Sequence, residues 1–382
     1  MKPKALRARP REPLGRRYAM GPCIIARMES SLAPLLPLFE RERSAGRAVA
    51  LAVLLHTSGS TYRRAGALLL IAGNGEYGGL LAGGCLEGDL AQHAREVIST
   101  GQARLIVYDL RNPDDLIWGL GAGCEGAMRI LLLRVGPQER WQPLRFLAAA
   151  LAAHRPAAIG IVAESTDASI PRGALVLPSD EGAEVLPASA RDMLLRPPLT
   201  EAIRAAGGAA APDWLEAHGC RVLLLPLALP PRLLLLGAGP DAPPVADFAA
   251  RLHWKVTLVD HRPAYGRRAR FPAAEQVILA RPEELLRSVV PAQFTAAVVM
   301  SHHLPTDLEY LRALCESTPP YVGLLGPPAR RDKLLAQLGA QALPLRLHLH
   351  APVGLKLGGR SPEAIALAIV AEILAFVHQP LE

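Results

Sequence analysis

An α/β protein of two domains, the second a doubly wound parallel sheet, is what this 382-residue sequence predicts. Three observations lead there. After residue 231, short aliphatic runs alternate with segments of helical length, the pattern of a parallel sheet with crossover helices. One alternation turns on Gly237-Ala238-Gly239-Pro240-Asp241-Ala242, and Asp260 closes the next strand. Before residue 140, aliphatic strands are separated by loops dense in glycine.

Residues 1–28 hold Lys2, Lys4, Arg7, Arg9, Arg11, Arg16, Arg17 and Arg27 against Glu12, eight cations minus one anion, which equals the whole chain's net charge of +7. Residues 29–382 therefore balance to zero, with no general basic surface for nucleic acid. Prolines spoil an amphipathic targeting helix in this segment, so it reads as a disordered basic extension with Met28 a natural start. There is no apolar run of the secretion type. The stretch 222–236 is broken by Pro226, Pro230, Pro231 and Arg232, so no membrane span is expected. Cys23, Cys85, Cys124, Cys220 and Cys315 are odd in number and widely spaced. They give neither a disulfide framework nor a CxxC zinc site, and fit reduced thiols in a cytoplasmic protein.

The first domain is expected over residues 29–140. It comprises a helix near 29–45, strands at Arg47–His56 and Ala67–Ala72, a helix at Gly88–Ser99, and strands at Arg104–Asp109 and Met128–Val135. Residues 141–230 read as the remainder of that domain plus a linker, with helical pieces at Pro143–His154 and Leu199–Ala206 and short strands at Ala158–Ala163 and Arg221–Leu225. Residues 231–382 form the second domain. Its strands are Arg232–Leu236, Lys255–Val259, Val277–Leu279, Ala296–Met300, Tyr321–Leu325 and Leu345–Leu349, and its helices are Pro243–Leu252, Glu283–Val289, Thr306–Cys315 and Ala329–Leu338. The last helix starts at Ser361-Pro362-Glu363, where Ser caps, Pro fits the first turn and Glu meets the positive helix end.

The turn at Gly237 and Gly239, followed by Asp260, is the dinucleotide fingerprint of a Rossmann-like sheet. Its glycines allow close approach of a pyrophosphate, and Asp260 is placed to accept from a ribose hydroxyl. Pro240, Pro243 and Pro244 remove backbone donors, and Arg262 blurs the choice between plain and phosphorylated ribose. The domain either binds a nucleotide there or keeps the fold without one. His302 and His303 end the fourth strand, the edge at which such sheets bind ligands. Arg330 and Arg331 follow the turn Gly323-Leu324-Leu325-Gly326. In the first domain, Thr57-Ser58-Gly59-Ser60-Thr61-Tyr62-Arg63-Arg64 makes an anion-loop candidate out of hydroxyls and arginines, or else an ordinary turn. Cys85 in Gly83-Gly84-Cys85-Leu86-Glu87-Gly88-Asp89 precedes a helix whose positive end favours thiolate. Cys124 sits in a second glycine-rich run, 119–126. Each thiol is a reactive candidate or a small buried filler.

Together these segments resemble the xanthine dehydrogenase accessory family, XdhC/CoxI. The resemblance is carried by TSGSTYRR (57–64), GGCLEGDL (83–90), YDLR (108–111), WGLGAGCEG (118–126), GAGPDAPPVADFA (237–249), VDHRP (259–263), GLLG (323–326) and APVGLKLGGRSPEAIALAIVAEI (351–373). It implies a two-domain, often dimeric chaperone that binds the molybdenum cofactor (molybdopterin) while a cysteine desulfurase adds a sulfido ligand, then inserts it into a xanthine dehydrogenase-type molybdoenzyme. On that resemblance Cys85 and Cys124 would meet molybdenum or sulfur. The cofactor contacts would come from Ser58, Ser60, Thr61 and Arg63 in the first domain, and from Gly237, Gly239, Asp260, His302 and Arg330 in the second. The alternatives are an NAD(P)-dependent oxidoreductase built on the Rossmann-like domain, and an interaction protein that docks both partners without cofactor.

Overall fold

The computed structural model describes residues 32–84, 86–109, 126–179, 182–190, 194 and 197–378. The extension 1–28, Cys85, Cys124 and all of the 118–126 motif except Gly126 lie outside the described residues.

The first sheet joins β1 (Val49–Gly59), β2 (Leu68–Ala72), β3 (Tyr77–Gly79), β4 (Arg104–Asp109) and β5 (Gly126–Val135) in the order β3-β2-β1-β5-β4, every pair antiparallel. The reason β1 is buried along Val49–Leu55 is that both its faces are covered. Ala50, Ala52 and Leu54 face α2 (Glu87–Thr100) through Leu90, Ala91, Ala94 and Val97, the alanines letting the helix sit close. Val49, Leu51, Val53 and Leu55 alternate to the other face and meet Ile159, Ile161, Leu223 and Leu225.

Those partners belong to a second sheet, in the stretch that composition leaves as domain remainder and linker. It contains β6 (Ala158–Ser165), β7 (Leu175–Ser179), β8 (Gly182–Leu186), β9 (Asp213–Ala217) and β10 (Cys220–Pro226), ordered β8-β7-β6-β10-β9 and antiparallel throughout. Its outer face, with Ala158, Val162, Val222 and Leu224, is covered by Leu199 and Ile203 of a helix at Pro197–Ala206. The two sheets share one core, so this part of the chain is layered helix, sheet, sheet, helix. Each Val, Leu or Ile fully buried in it stabilises the fold by about 1.5–3 kcal/mol.

From residue 232 the sheet is parallel. It contains β11 (Arg232–Leu236), β12 (Lys255–Asp260), β13 (Gln276–Leu279), β14 (Ala296–Val299), β15 (Tyr321–Leu324) and β16 (Leu349–His350), ordered β13-β12-β11-β14-β15-β16. Helices at Ala242–Arg251 and Pro362–His378 cover one face through Val245, Ala246, Ile369 and Val370. Helices at Leu304–Glu316 and Pro328–Leu338 cover the other through Leu311, Leu314, Leu334 and Leu338. This is the expected doubly wound sheet, with its switch point between β11 and β14, where order reverses and a crevice opens at the carboxyl ends. The last strand lies later than the Leu345–Leu349 expected, because Gly339–Leu345, with Pro344 inside, coils as 3-10 turns. Among the described residues, no helix is long and apolar enough to cross a membrane.

Candidate functional site

In the first domain three motif segments meet at one end of β1. Ser58 lies on the strand opposite Ala127, and Gly59 is opposite Gly126. The chain continues through Ser60 and Thr61, whose hydroxyl donates to the Arg63 carbonyl at 2.9 Å. A Cβ on Gly126 would stand 2.5 Å from the Ser60 carbonyl oxygen, 2.6 Å from Thr61 Cγ2 and 2.8 Å from the Ser58 carbonyl oxygen, so only glycine permits this approach. Tyr62 is exposed and lies over Gly83, with ring carbons 3.6–3.9 Å from where a Gly83 Cβ would be. The Arg63 guanidinium carbon sits 5.6 Å from that ring's centre.

The 81–87 loop is organised by a residue that carried no role of its own in the motif. Glu87 is 1% exposed. Its Oε1 accepts from the Leu81 and Ala82 amides at 3.2 and 2.9 Å, and its Oε2 from the Gly84 and Leu86 amides at 3.0 and 3.2 Å. The backbone on both sides of position 85 is thus wrapped around one carboxylate, which also lies in the first turn of α2. Two residues on, Asp89 Oδ2 accepts from the Tyr108 hydroxyl at 2.5 Å and lies 3.4 Å from His93 Nε2. Burial first, and this bond second, push the Tyr108 phenol well above its ordinary range. The signal for Glu87 was its place just after a glycine pair at a helix start. The signal for the Asp89–Tyr108 bond was absent, because a bond across 19 residues has no local pattern.

Next to this rim, a cavity of about 110 Å³ lies between the two antiparallel sheets, lined by Leu55, His56, Arg129, Glu164, Trp214 and Arg221. Arg129 and Glu164 pair across it at 2.6 Å. Among the described residues, no three His, Cys, Asp or Glu side chains gather as a metal site.

At the switch point of the parallel sheet, Gly237 (φ +114°) lies against the start of the next loop. A Cβ there would be 2.6 Å from both Cα and N of Ser301. Asp260 is 1% exposed, and the chain itself supplies its donors. Its Oδ2 accepts from the Ala238 amide at 2.7 Å and from Arg262 at 2.7 Å, and its Oδ1 from the Arg262 amide and Nε at 2.8 and 3.0 Å. Burial would raise this carboxyl, but the Arg262 guanidinium and the two amides outweigh it and hold the group below the usual carboxylate range. His302, at φ +62°, places its Nε2 2.9 Å from Asp241 Oδ2, with its ring over Gly239. His303 precedes the helix at Leu304–Glu316 and bonds Thr306 Oγ1 through Nδ1 at 2.9 Å.

Arg330 is drawn to this same edge. Its guanidinium donates to Asp307 Oδ2 at 2.5 and 3.2 Å. Asp307 has no exposure, and its Oδ1 accepts from the Ser301 hydroxyl and amide at 2.5 and 3.2 Å. The site residues expected from sequence therefore fall into two clusters: Ser58, Ser60, Thr61 and Arg63 at the β1 rim, and Gly237, Gly239, Asp260, His302 and Arg330 at the switch point. Nearby, the Tyr310 hydroxyl is buried with no hydrogen-bond partner among the described residues.

Known proteins carry the same two units. Residues 42–109 match the XdhC and CoxI family, and residues 233–373 the XdhC Rossmann domain. A Bacillus subtilis (strain 168) protein, named as a probable xanthine dehydrogenase subunit, is 33% identical over 324 residues, 85% of this chain and 92% of that protein. The chain belongs to the XdhC and CoxI family. A crystal structure described as a xanthine dehydrogenase from Bacillus halodurans shares 29% identity and a TM-score of 0.70, covering 90% of this chain and 95% of that one. The Escherichia coli (strain K12) "Molybdenum cofactor insertion chaperone PaoD" is 23% identical over 339 residues, 87% of this chain and 85% of that protein. Within this XdhC-family chain, residues 42–109 cover the hydroxyl loop, the Glu87-centred loop and Tyr108, and residues 233–373 cover the whole switch-point cluster.

Proposed function

We propose that this protein is a maturation factor that holds the molybdenum cofactor as cargo, shields it while a cysteine desulfurase supplies the sulfido ligand, and inserts it into a xanthine dehydrogenase-type molybdoenzyme. It would work as a cytoplasmic homodimer rather than as a metabolic enzyme. The observation that carries the reading is the convergence of the 57–64 hydroxyl loop, the 81–87 loop and Gly126 at one rim. That rim fits such a cargo by its donor set. The Ser58 and Ser60 hydroxyls and the Arg63 guanidinium suit an anionic oxygen-rich group, Thr61 shapes the loop by donating to the Arg63 carbonyl, and the open space beside Gly84 leaves room. Cys85 falls between two residues whose amides are fixed by Glu87, and Cys124 precedes Gly126 by two positions. Soft thiolates at those positions suit molybdenum or transferable sulfur. The name of the Escherichia coli relative supports the same cargo.

The competing reading, an NAD(P)-dependent oxidoreductase, draws on the parallel sheet and its glycine turn. It draws less from Asp260, whose oxygens already accept from Ala238 and Arg262.

The test is the full chain as wild type, Cys85→Ser, Cys124→Ser and Cys220→Ser, each scored for pterin co-purified and for target-enzyme activity per folded accessory protein. Loss in the first two variants, with Cys220→Ser unaffected, is the expected result. Cys220 is buried beside Ser165, with Sγ to Oγ at 3.4 Å, and has a structural setting. Equal pterin content and activity in all three variants would remove both thiols from the function.

A further inference from the structure

Where the two antiparallel sheets face each other, their aliphatic core ends at the polar cavity of about 110 Å³. Leu55, His56 and Arg129 line it from the first sheet, and Glu164, Trp214 and Arg221 from the second. Each sheet slips register at this level. Between Leu54 and His56, β1 carries Leu55 with no residue opposite it on β5. Between Arg221 and Val222, β10 skips Ala163 of β6. A bulge bends its strand and re-aims the side chains beside it, and such irregularities gather near binding sites. Here bulges on both facing sheets stand beside the charged lining.

The charges in the lining do not cancel. Arg129 donates to Glu164 Oε1 at 2.6 Å, from one sheet to the other. Arg221 has no such bond. Its Nε is buried and without a hydrogen-bond partner among the described residues. Glu216 Oε1 is 3.3 Å away, but it lies outside hydrogen-bond geometry, its side chain is 74% exposed and it does not line the cavity. An ion pair so open to water is worth little. Two guanidiniums thus share one lining carboxylate, and His56 adds no negative charge. A buried donor that has lost its water and gained no acceptor is costly, so its place in a stable fold calls for a bound group.

Trp214 holds that guanidinium in place. The Arg221 guanidinium carbon lies 4.4 Å from the centre of the Trp214 ring. A guanidinium resting on a ring keeps its in-plane N–H groups for another partner, and their fork matches a planar carboxylate. Leu55 belongs to the shared core and Trp214 packs against it, so the cavity has an apolar wall as well as a charged one. A dry cavity of about 150 Å³ admits benzene, so this smaller space suits a ligand of about four to six non-hydrogen atoms.

We propose that Arg221, Trp214 and Leu55 form a binding site for a small monocarboxylate of about two to four carbons. The acid group takes the Arg221 fork, and the short chain lies against Trp214 and Leu55. A monoanion is favoured over a dianion because one positive charge is uncompensated and Glu164 in the wall repels a second negative charge. Water would satisfy the Nε donor but leave the charge unmet. None of residues 57–64 lines the cavity, so failure of this site leaves the proposed function intact.

The test is titration calorimetry on the full chain with acetate, propionate and butyrate, each against its neutral amide and against sodium chloride at equal ionic strength. At least one acid should bind saturably, and about tenfold or more tighter than its amide. Arg221→Gln should weaken that binding about tenfold or more, and Arg221→Lys, which keeps the charge and removes the fork, should weaken it too. Arg287→Gln, at an exposed arginine of the parallel-sheet domain, should leave it unchanged. The Lys variant is the milder change and reads the site even if the Gln variant folds poorly. No saturable binding, a heat that sodium chloride reproduces, or an affinity that survives either Arg221 variant overturns the site.

Discussion

The Tyr108 hydroxyl donates to Asp89 Oδ2 at 2.5 Å, binding the end of β4 to the first turn of α2. Two segments that are separate motifs in the sequence are thereby one structural unit, and the helix that carries Glu87 is fixed to the sheet. Tyr108→Phe removes a bond to a charged acceptor, and should cost about 1.5–3 kcal/mol in urea unfolding. In a double-mutant cycle with Asp89→Asn, the pair should show a coupling of about 1 kcal/mol or more. Simple additivity would mean that the helix is held by its apolar face alone.

Gly237 and Gly239 look equivalent in the fingerprint, but they should respond differently. Gly237→Ala puts a Cβ 2.6 Å from the Ser301 backbone at a φ of +114°, where neither neighbour can yield. We expect a loss of about 2–4 kcal/mol. Gly239→Ala first meets the His302 ring at 3.1 Å, a side chain that can swing away, and should cost about 1 kcal/mol or less. Thermal melts of the two variants give the order directly, and the reverse order would contradict the geometry.

Asp307 has no exposure, and Arg330 is its cationic partner. Arg330→Met leaves that carboxylate buried with, among the described residues, only Ser301 as donor, and should destabilise by about 3–5 kcal/mol. Adding Asp307→Asn should restore part of the loss, because the uncompensated charge is gone. Chemical denaturation of the single and double variants checks this. A double variant as unstable as the sum of its parts would show that the two residues act independently.

Asp260 makes stability depend on acid. Its folded-state carboxyl lies below the ordinary value, so the unfolded chain takes up the proton more readily. The contribution is complete above the unfolded value, near pH 3.9, and is lost as pH falls through the folded one. Asp260→Asn should be less stable than wild type at neutral pH, and the gap should narrow below about pH 4. Melting temperatures measured from about pH 3 to 7 decide it, and a gap constant across that range would exclude the Arg262 pairing as its source.

The sequence by itself determined the parallel sheet. Its buried strands are short continuous aliphatic runs separated by helices, a local pattern that survives without knowledge of neighbours. It also singled out the candidate loops, since hydroxyls cluster visibly at 57–64 and glycines flank Cys85 at 83–90. Only the tertiary structure showed that the stretch 141–230, expected as the remainder of the first domain plus a linker, carries a second five-stranded sheet sharing a core with the first. Several of its strands are short, and β9 is half polar, so their stability comes from facing the first sheet across a shared core. Only the tertiary structure showed Glu87 with four backbone amides around its carboxylate, Asp260 turned inward onto Arg262, and Arg330 engaged by Asp307. Residue type announces that a charge is present. Which partner neutralises it is set by distances between segments far apart in the chain, and those distances exist only once the chain has folded.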